Sequence, residues 1–323
     1  MNRIQPDDIE IHFGLPPGTF EWDYVSIDSE FFGQNKEMLH RPHGRFACVG
    51  CTFNGKDVYM IFDEKQIQKF YERIDKSTHI YHHAQYDIKQ LRRFADIPDR
   101  KMIWDTMIVE QIRFNGYYDS FALKDLARRY LGIYMDKSER ETFSDEDATE
   151  MTEDQIFYAA VDIVCTYMVG MQQMVEIDED DSDLWKHVEM PFLWTLLDTG
   201  GITLDVDKWT NRYEKDLKLA QELNDKLPFN PRSHVQVKEF FKTNYNLTLE
   251  STAEKVLLEV AKEYPDIQEL QMILDARGAA KSASTYGLSW VDAVEEDGKF
   301  YPSWHQIGAK TGRMSAGRDK DDD

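Results

Sequence analysis

The strongest constraint on this chain is an apolar run that ends in acids: Trp22-Asp-Tyr-Val-Ser-Ile-Asp28, then Ser29 and Glu30. The run is too short for a helix and is rich in strand-forming residues. Alternate side chains of a strand share a face, so Asp28 and Glu30 point the same way. A second strand-like run, Thr78-His-Ile-Tyr-His82, leads into His83-Ala-Gln-Tyr-Asp87. There the spacing of Tyr86, Asp87, Gln90, Leu91 and Phe94 is helical and puts Asp87 near a helix start. The last acid, Asp162, lies in a helix opened by a capping box of Thr152 and Gln155 and carried on by Ile156, Phe157, Ala160, Val161, Val164 and Cys165. Tyr158 and Asp162 are four residues apart and stack on one helical face. Strands and helices that alternate in this way predict an α/β domain.

Four carboxylates around one pocket repel each other strongly unless cations separate them. Hard divalent cations such as Mg²⁺ or Mn²⁺ prefer carboxylate oxygens and keep several waters. Two such ions about 4 Å apart can activate an attacking water and stabilise the leaving oxygen of an in-line displacement. A tyrosine hydroxyl one turn from a metal ligand can hold that water. Taken singly, each element has a plainer reading. Asp28 and Glu30 could be a solvated strand end, Asp87 an acid favoured by a helix dipole, and Tyr158 and Asp162 a half-buried tyrosine and a surface acid. The order, spacing and context of the whole set favour hydrolysis of a phosphodiester, with two divalent cations as cofactors.

The set resembles the proofreading 3′→5′ exonuclease domain of family A DNA polymerases, of the subtype with tyrosine in its third motif. Asp105-Thr-Met107 and Phe121-Ala-Leu-Lys-Asp-Leu-Ala-Arg-Arg-Tyr-Leu131 are similar to the segments that join the second and third motifs there. The resemblance implies a ribonuclease H-like fold, a mixed sheet flanked by helices. It implies Asp28, Glu30 and Asp162 as direct metal ligands, Asp87 as support for the second metal, partly through water, and Tyr158 as the residue that orients the nucleophilic water. One departure is His83: the family usually has asparagine there, where it contacts the substrate strand. A histidine still donates a hydrogen bond, with a charge that depends on pH.

The second half carries its own resemblance, to the polymerase portion of the same family. Val188–Asp205, Asn230-Pro-Arg-Ser-His-Val-Gln236 and Ser251-Thr-Ala-Glu254 are similar to its entry segments. Arg277-Gly-Ala-Ala-Lys281 is similar to a thumb helix that grips the duplex backbone, and His305–Ser315 to the stretch before the palm in which an arginine, here Arg313, reads the primer's minor groove. The implied layout is an exonuclease domain at 1–180 and a mainly helical, thumb-like region at 184–323 that ends before palm and fingers. No polymerase activity is then expected from the chain alone. A first strand beginning by about residue 22 leaves no room for a 5′-nuclease domain, a layout more like a phage enzyme. The implied partners are DNA, as a 3′ single-stranded end or primer-template, and a separately encoded C-terminal polymerase fragment. The competing reading is a DNA-binding or structural subunit, or a truncated product, active only with that other half. An RNA-processing exonuclease of the same superfamily is disfavoured by the thumb-like half.

A net charge of −22 opposes DNA affinity, because phosphate contacts need Lys and Arg. The acids are clustered, however, in 144–147, 178–183, 295–297 and 321–323, and the run 176–183 reads as a linker. Lys89, Arg92, Arg93, Arg277, Lys281, Lys310, Arg313 and Arg318 gather where the resemblance would pass DNA. Three cysteines argue for a reducing compartment rather than a disulfide scaffold. Cys48-Val-Gly-Cys51 with His40 and His43 has tolerable zinc spacing. Yet Phe46–Phe53 reads as a strand entering an Asn54-Gly55 turn and returning as Val58–Phe62, which puts the two cysteines on opposite faces. The zinc reading is therefore set aside. No apolar stretch reaches membrane-spanning length and the N-terminus has no signal-peptide pattern, so a soluble, cytoplasmic protein without a membrane partner is expected, in a bacterial host if phage-encoded. Helices are expected at 64–75, 86–95, 120–131, 153–176, 184–199, 207–226, 233–243, 252–263 and 266–286. The tail 292–323 reads as hairpin-like or unstructured.

Overall fold

The computed structural model describes residues 3–18, 22–33, 44–99, 101–136, 138–145 and 147–317. It divides into two compact units, residues 1–200 with 302–323, and residues 201–301.

The first unit is built on a six-stranded mixed sheet. Its strands are β1 (Glu10–Phe13), β2 (Tyr24–Phe32), β3 (Arg45–Thr52), β4 (Asp57–Ile61), β5 (Thr78–Tyr81) and β6 (Ile103–Asp105), in the order β1-β4-β3-β2-β5-β6. β2 runs antiparallel to β3 and parallel to β5, and the β3–β4 hairpin turns through Gly55, whose φ of 74° suits glycine. β1, parallel to β4 at the edge, has no periodicity that marks it in the sequence, since it is partly exposed throughout.

Alternation sorts the strand residues. Val25, Ile27 and Phe31 of β2 pack with Ile67 and Phe70 of α1 (Ile67–Arg73) and with Ile88 and Leu91 of α2 (Ala84–Leu91). Cys48, Val58 and Met60 pack instead with Ala159, Ala160 and Ile163, which lie on the long helix Glu153–Glu176. Helices thus cover the sheet as the α/β, ribonuclease H-like expectation requires. Between α2 and that long helix come α3 (Thr106–Phe114) and α4 (Leu123–Leu131), so the long helix is α5 (Glu153–Glu176). The expected capping box opens α5: Thr152 Oγ1 accepts from Gln155 N at 3.2 Å and Gln155 Oε1 from Thr152 N at 2.9 Å. Cys48 and Cys51 fall in different clusters and are free thiols; His40 and His43 lie outside the described residues.

Gly170 is where α5 approaches β5 most closely. A Cβ there would lie 2.7 Å from Ile80 Cγ2. Ile80 is fully buried in β5 and its methyl cannot swing aside. Overpacking costs about 1–3 kcal/mol, whereas alanine gains about 1 kcal/mol over glycine in a helix interior. Gly170→Ala is therefore expected to lower the urea midpoint; an unchanged or higher midpoint would mean that the contact has slack.

Two expectations of organisation are corrected. The acidic run 176–183 is not a linker: it forms the end of α5 and most of α6 (Glu179–Leu184), capped by Asp178, which accepts from Asp181 N at 2.9 Å. Acids in a first turn are stabilised by the helix dipole, so the run that reads as solvated spacer is a helix start. A π-helical turn (Trp185–Glu189) and α7 (Met190–Asp198) follow. Trp185, Leu193 and Trp194 join the core of the first unit, with indole N–H groups of Trp185 and Trp194 donating to Ile103 O and Lys101 O. The unit boundary therefore falls at 200/201 rather than near 180. The tail also returns to the first unit, where Ile307 is buried and Gln306 Nε2 donates to Glu189 O at 2.8 Å.

The second unit is helical apart from a short ladder that pairs Ile202 with Phe300 and Thr203 with Lys299. Its helices are α8 (Val206–Lys226), α9 (His234–Tyr245), α10 (Glu254–Glu263), α11 (Gln268–Thr285) and the short α12 (Ser289–Asp292). Leu227, Val237, Phe241, Leu249, Leu257, Leu270 and Ile273 form its core. Among the described residues, no helix is long and apolar enough to cross a membrane.

Candidate active site

Strand alternation and one helix build the site. Ser26 Oγ donates to Ile163 O at 2.7 Å, so β2 turns residues 26, 28 and 30 toward α5. Tyr158 and Asp162 stand one turn apart on that helix. Asp28, Glu30 and Asp162 come together as expected: one carboxylate oxygen from each lies within 4.8 Å of the others. A register shift between Glu30 and Phe31 breaks the β2–β3 pairing directly after the second acid. Such a bulge bends the strand and re-aims the side chain beside it.

Three carboxylates this close cost about 3–4 kcal/mol per ionised pair at an effective dielectric near 20. The donor set is oxygen only, which matches a hard divalent cation rather than zinc held by sulfur and imidazole. The residues present therefore fit Mg²⁺ or Mn²⁺. A second group, Glu10, His12 and Asp57 at the sheet edge, is already engaged internally. His12 Nε2 pairs with Asp57 Oδ1 at 2.9 Å and Lys56 Nζ with Glu10 Oε1 at 2.5 Å.

Tyr158 is 7% exposed. Burial first, then Asp162 and Glu30, push its hydroxyl well above the ordinary phenol range, with Arg140 acting in the opposite direction. The hydroxyl therefore keeps its proton. Phe143 holds the ring from one side, at 6.3 Å between centroids. It belongs to the 3₁₀ segment Ser138–Ser144, which Gln155 Nε2 ties down through Thr142 Oγ1 at 2.8 Å.

Asp87 is held by a partner of its own. It is not part of the three-carboxylate cluster. Its Oδ1 accepts from Ser29 N at 3.0 Å and from Ser29 Oγ at 2.6 Å. Ser29 lies between the two β2 acids and so faces the other side of the strand. Burial pushes the Asp87 carboxyl up to about 7, against the lowering effect of the two Ser29 hydrogen bonds. His83 caps α2 in the left-handed region, at φ 68° and ψ 54°. Asparagine and histidine tolerate that region better than most residues, which accounts for the kind of side chain found there.

The residues expected to touch DNA are not held alike. His83 and Arg313 belong to the first unit, Arg277 and Lys281 to the second. Lys281 and Arg313 are exposed. Arg277 is turned inward: Nε donates to Pro231 O at 2.6 Å, and Nη1 to Thr252 O. It joins the Asn230–Gln236 and Ser251–Glu254 segments, and His234 also bonds Thr252 Oγ1. In this structure its guanidinium ties together backbone of its own unit. Arg92 likewise pairs with Asp99 and Asp198, and Lys310 with Asp119. Arg318 lies outside the described residues.

Sequence reasoning missed Ser29, Phe143 and Arg140. It also missed that Tyr86 feels Asp87, Glu30 and Asp28, which add to burial in raising its phenol. Ser29 was within sight between the acids, but only the fold shows what it meets.

A family model described as 3′-5′ exonuclease matches residues 20–175. DNA polymerase I of Aquifex aeolicus (strain VF5) is 26% identical over 291 residues, covering 80% of this chain and 48% of that protein. The DNA polymerase of Bacillus phage SP01 is 30% identical over 179 residues, covering 51% of this chain and 19% of that protein. The chain thus spans half or less of the length of these relatives. The polymerase domain of Pol1 from M. smegmatis, solved with DNA primer-template and dNTP, shares the fold, with a TM-score of 0.68 at 17% identity, over 92% of this chain and 51% of that one. Residues 20–175 match the 3′-5′ exonuclease domain, and the chain is similar to DNA polymerase I homologues over half or less of their length.

Proposed function

We propose that the chain hydrolyses nucleotides from the 3′ ends of DNA, as the proofreading exonuclease part of a family A polymerase, in a reaction that needs two divalent cations. The observation that carries this is the meeting of Asp28, Glu30 and Asp162 within 4.8 Å, inside the matched exonuclease domain. Those three carboxylates would hold Mg²⁺ or Mn²⁺, with Asp87 acting from beside them through water. When bound, the cations supply Lewis-acid stabilisation of charge on the scissile phosphate and on the leaving oxygen. Tyr158, kept protonated by burial and by its acidic neighbours, orients the attacking water through its hydroxyl. His83, at the start of α2, contacts the substrate strand. The products are nucleoside monophosphates.

The test is release of mononucleotide from a 3′-labelled single-stranded oligonucleotide with Mg²⁺ or Mn²⁺, against a chelator control. Added dNTPs read any extension separately. Release that depends on the metal supports the reading; a folded protein that releases nothing with either metal overturns it.

A second reading concerns whether the domain acts by itself. It makes the chain a DNA-binding subunit that acts only with a separately encoded polymerase half. Release that appears only when that half is added would favour it. For DNA contacts, Lys281→Ala is expected to weaken binding evenly across sequences and to reduce the salt slope by about one. Arg277→Ala, which breaks the internal clamp, is expected to lower the stability of the 201–301 unit instead. Equal salt-slope changes for the two variants, without loss of stability, would overturn this division.

A further inference from the structure

Asp105 ends β6 and is fully buried. Its carboxylate accepts four backbone N–H groups. Oδ1 takes those of Met107 at 2.9 Å, Ile108 at 3.2 Å and His83 at 3.2 Å; Oδ2 takes that of Ala84 at 2.7 Å. The first two bonds are an ordinary N-cap for α3, which Asp105 precedes. The other two cross to the start of α2, more than twenty residues earlier in the chain. One carboxylate therefore caps two helices at once.

The second cap falls on a demanding piece of backbone. His83 and Asn246 are the two non-glycine residues with positive φ among those described. Residues with a Cβ enter the left-handed region only when their surroundings hold them there. No side chain of His83 caps α2. The N–H groups at the turn instead point at a carboxylate carried by the next strand of the sheet, β6, beside β5.

We propose that Asp105 is a positioning residue of the exonuclease site. By holding the left-handed turn at His83, it sets the direction in which α2 leaves β5, and so where Asp87, one turn further on, presents its carboxylate to Ser29, the residue between Asp28 and Glu30. The functional half of this rests on the exonuclease reading above. It differs from simple helix stability because the cap of α3 and the cap of α2 are separable.

Asp105→Ser separates them. A serine caps α3 through Met107 and Ile108, but its shorter side chain does not reach His83 or Ala84. Amide hydrogen exchange at His83 and Ala84 is expected to speed up at least about ten-fold in Asp105→Ser, while Met107 and Ile108 stay protected. For the folded variant, kcat is expected to fall on the order of 10²-fold, as a misplacement of about 1 Å can cost, with KM for a single-stranded oligonucleotide within about two-fold. Asp105→Asn keeps the Oδ1 acceptor for His83 N–H but turns an NH2 toward Ala84 N–H, so it is expected to recover only part of the rate and to leave Ala84 exchanging fast. Unchanged exchange at His83 and Ala84 overturns the inference, and so does faster exchange with an unchanged kcat. If the wild type itself releases no nucleotide, the exonuclease reading fails, and exchange at the two amides still decides whether Asp105 holds the turn.

Discussion

Replacing Asp28 and Glu30 together by alanine is expected to reduce metal-dependent nucleotide release by roughly 10³-fold or more, while the metal-free protein melts no lower than wild type. Both halves follow from the same geometry. The two residues share a face of β2 and meet Asp162 within 4.8 Å. Without them one carboxylate of the group remains, and the several kcal/mol of charge stabilisation that cations supply at the phosphate is lost with them. In the absence of metal, however, the three carboxylates repel each other, and removing two relieves that strain. A double variant that keeps more than a few per cent of wild-type release would show that the chemistry lies elsewhere. A large fall in melting temperature would show that the acids serve the fold rather than the reaction. The measurements are single-turnover release from a 3′-labelled oligonucleotide and thermal unfolding in chelator.

Asp87→Asn is expected to stabilise the metal-free protein most at pH 8, less at pH 5, and hardly at all below about pH 4. Burial raises the Asp87 carboxyl from its ordinary value of 3.8 to about 7 in the folded state. Between these values the folded protein holds a proton that the unfolded chain has lost. Stability from this group is therefore greatest at low pH, declines as pH rises from about 4 to about 7, and reaches its full cost above that. A shift of this size corresponds to roughly 4 kcal/mol. Asparagine removes the charge but not the local structure, because both Ser29 bonds land on the single oxygen Oδ1, which the amide retains. Urea midpoints at pH 5 and pH 8 in chelator check the expectation; an equal pH dependence in both proteins would place the burial cost elsewhere.

What could be read directly from the chain is what neighbours in sequence decide. Thr152 and Gln155 cap α5 because both partners of the box lie within one turn. The Asn54-Gly55 turn, the alternation that puts Asp28 and Glu30 on one face, and the i, i+4 pair Tyr158 and Asp162 are equally local. So are the helices α8 to α11, whose spans follow the apolar spacing to within a few residues. Misreadings arose where the deciding partner is distant or where composition points two ways. An acidic run is both a solvated spacer and a favourable helix start, and Asp178 with the packing of Trp185 settles it as helix. That Pro231 and Thr252 accept from Arg277 is likewise visible only in the fold.

The acids were therefore legible as a set, but the hydrogen-bond partners that hold them were not. Sequence periodicity determined which carboxylates share a face, because a strand repeats every two residues and a helix about every 3.6. Tertiary structure alone decided that Asp28, Glu30 and Asp162 form one group and that Asp87 accepts from Ser29, the residue between the two β2 acids. It also decided that Asp105 answers four amides from two helices. The physical reason is burial. A buried carboxylate must find donors wherever the fold brings them, and no spacing along the chain records which ones arrive.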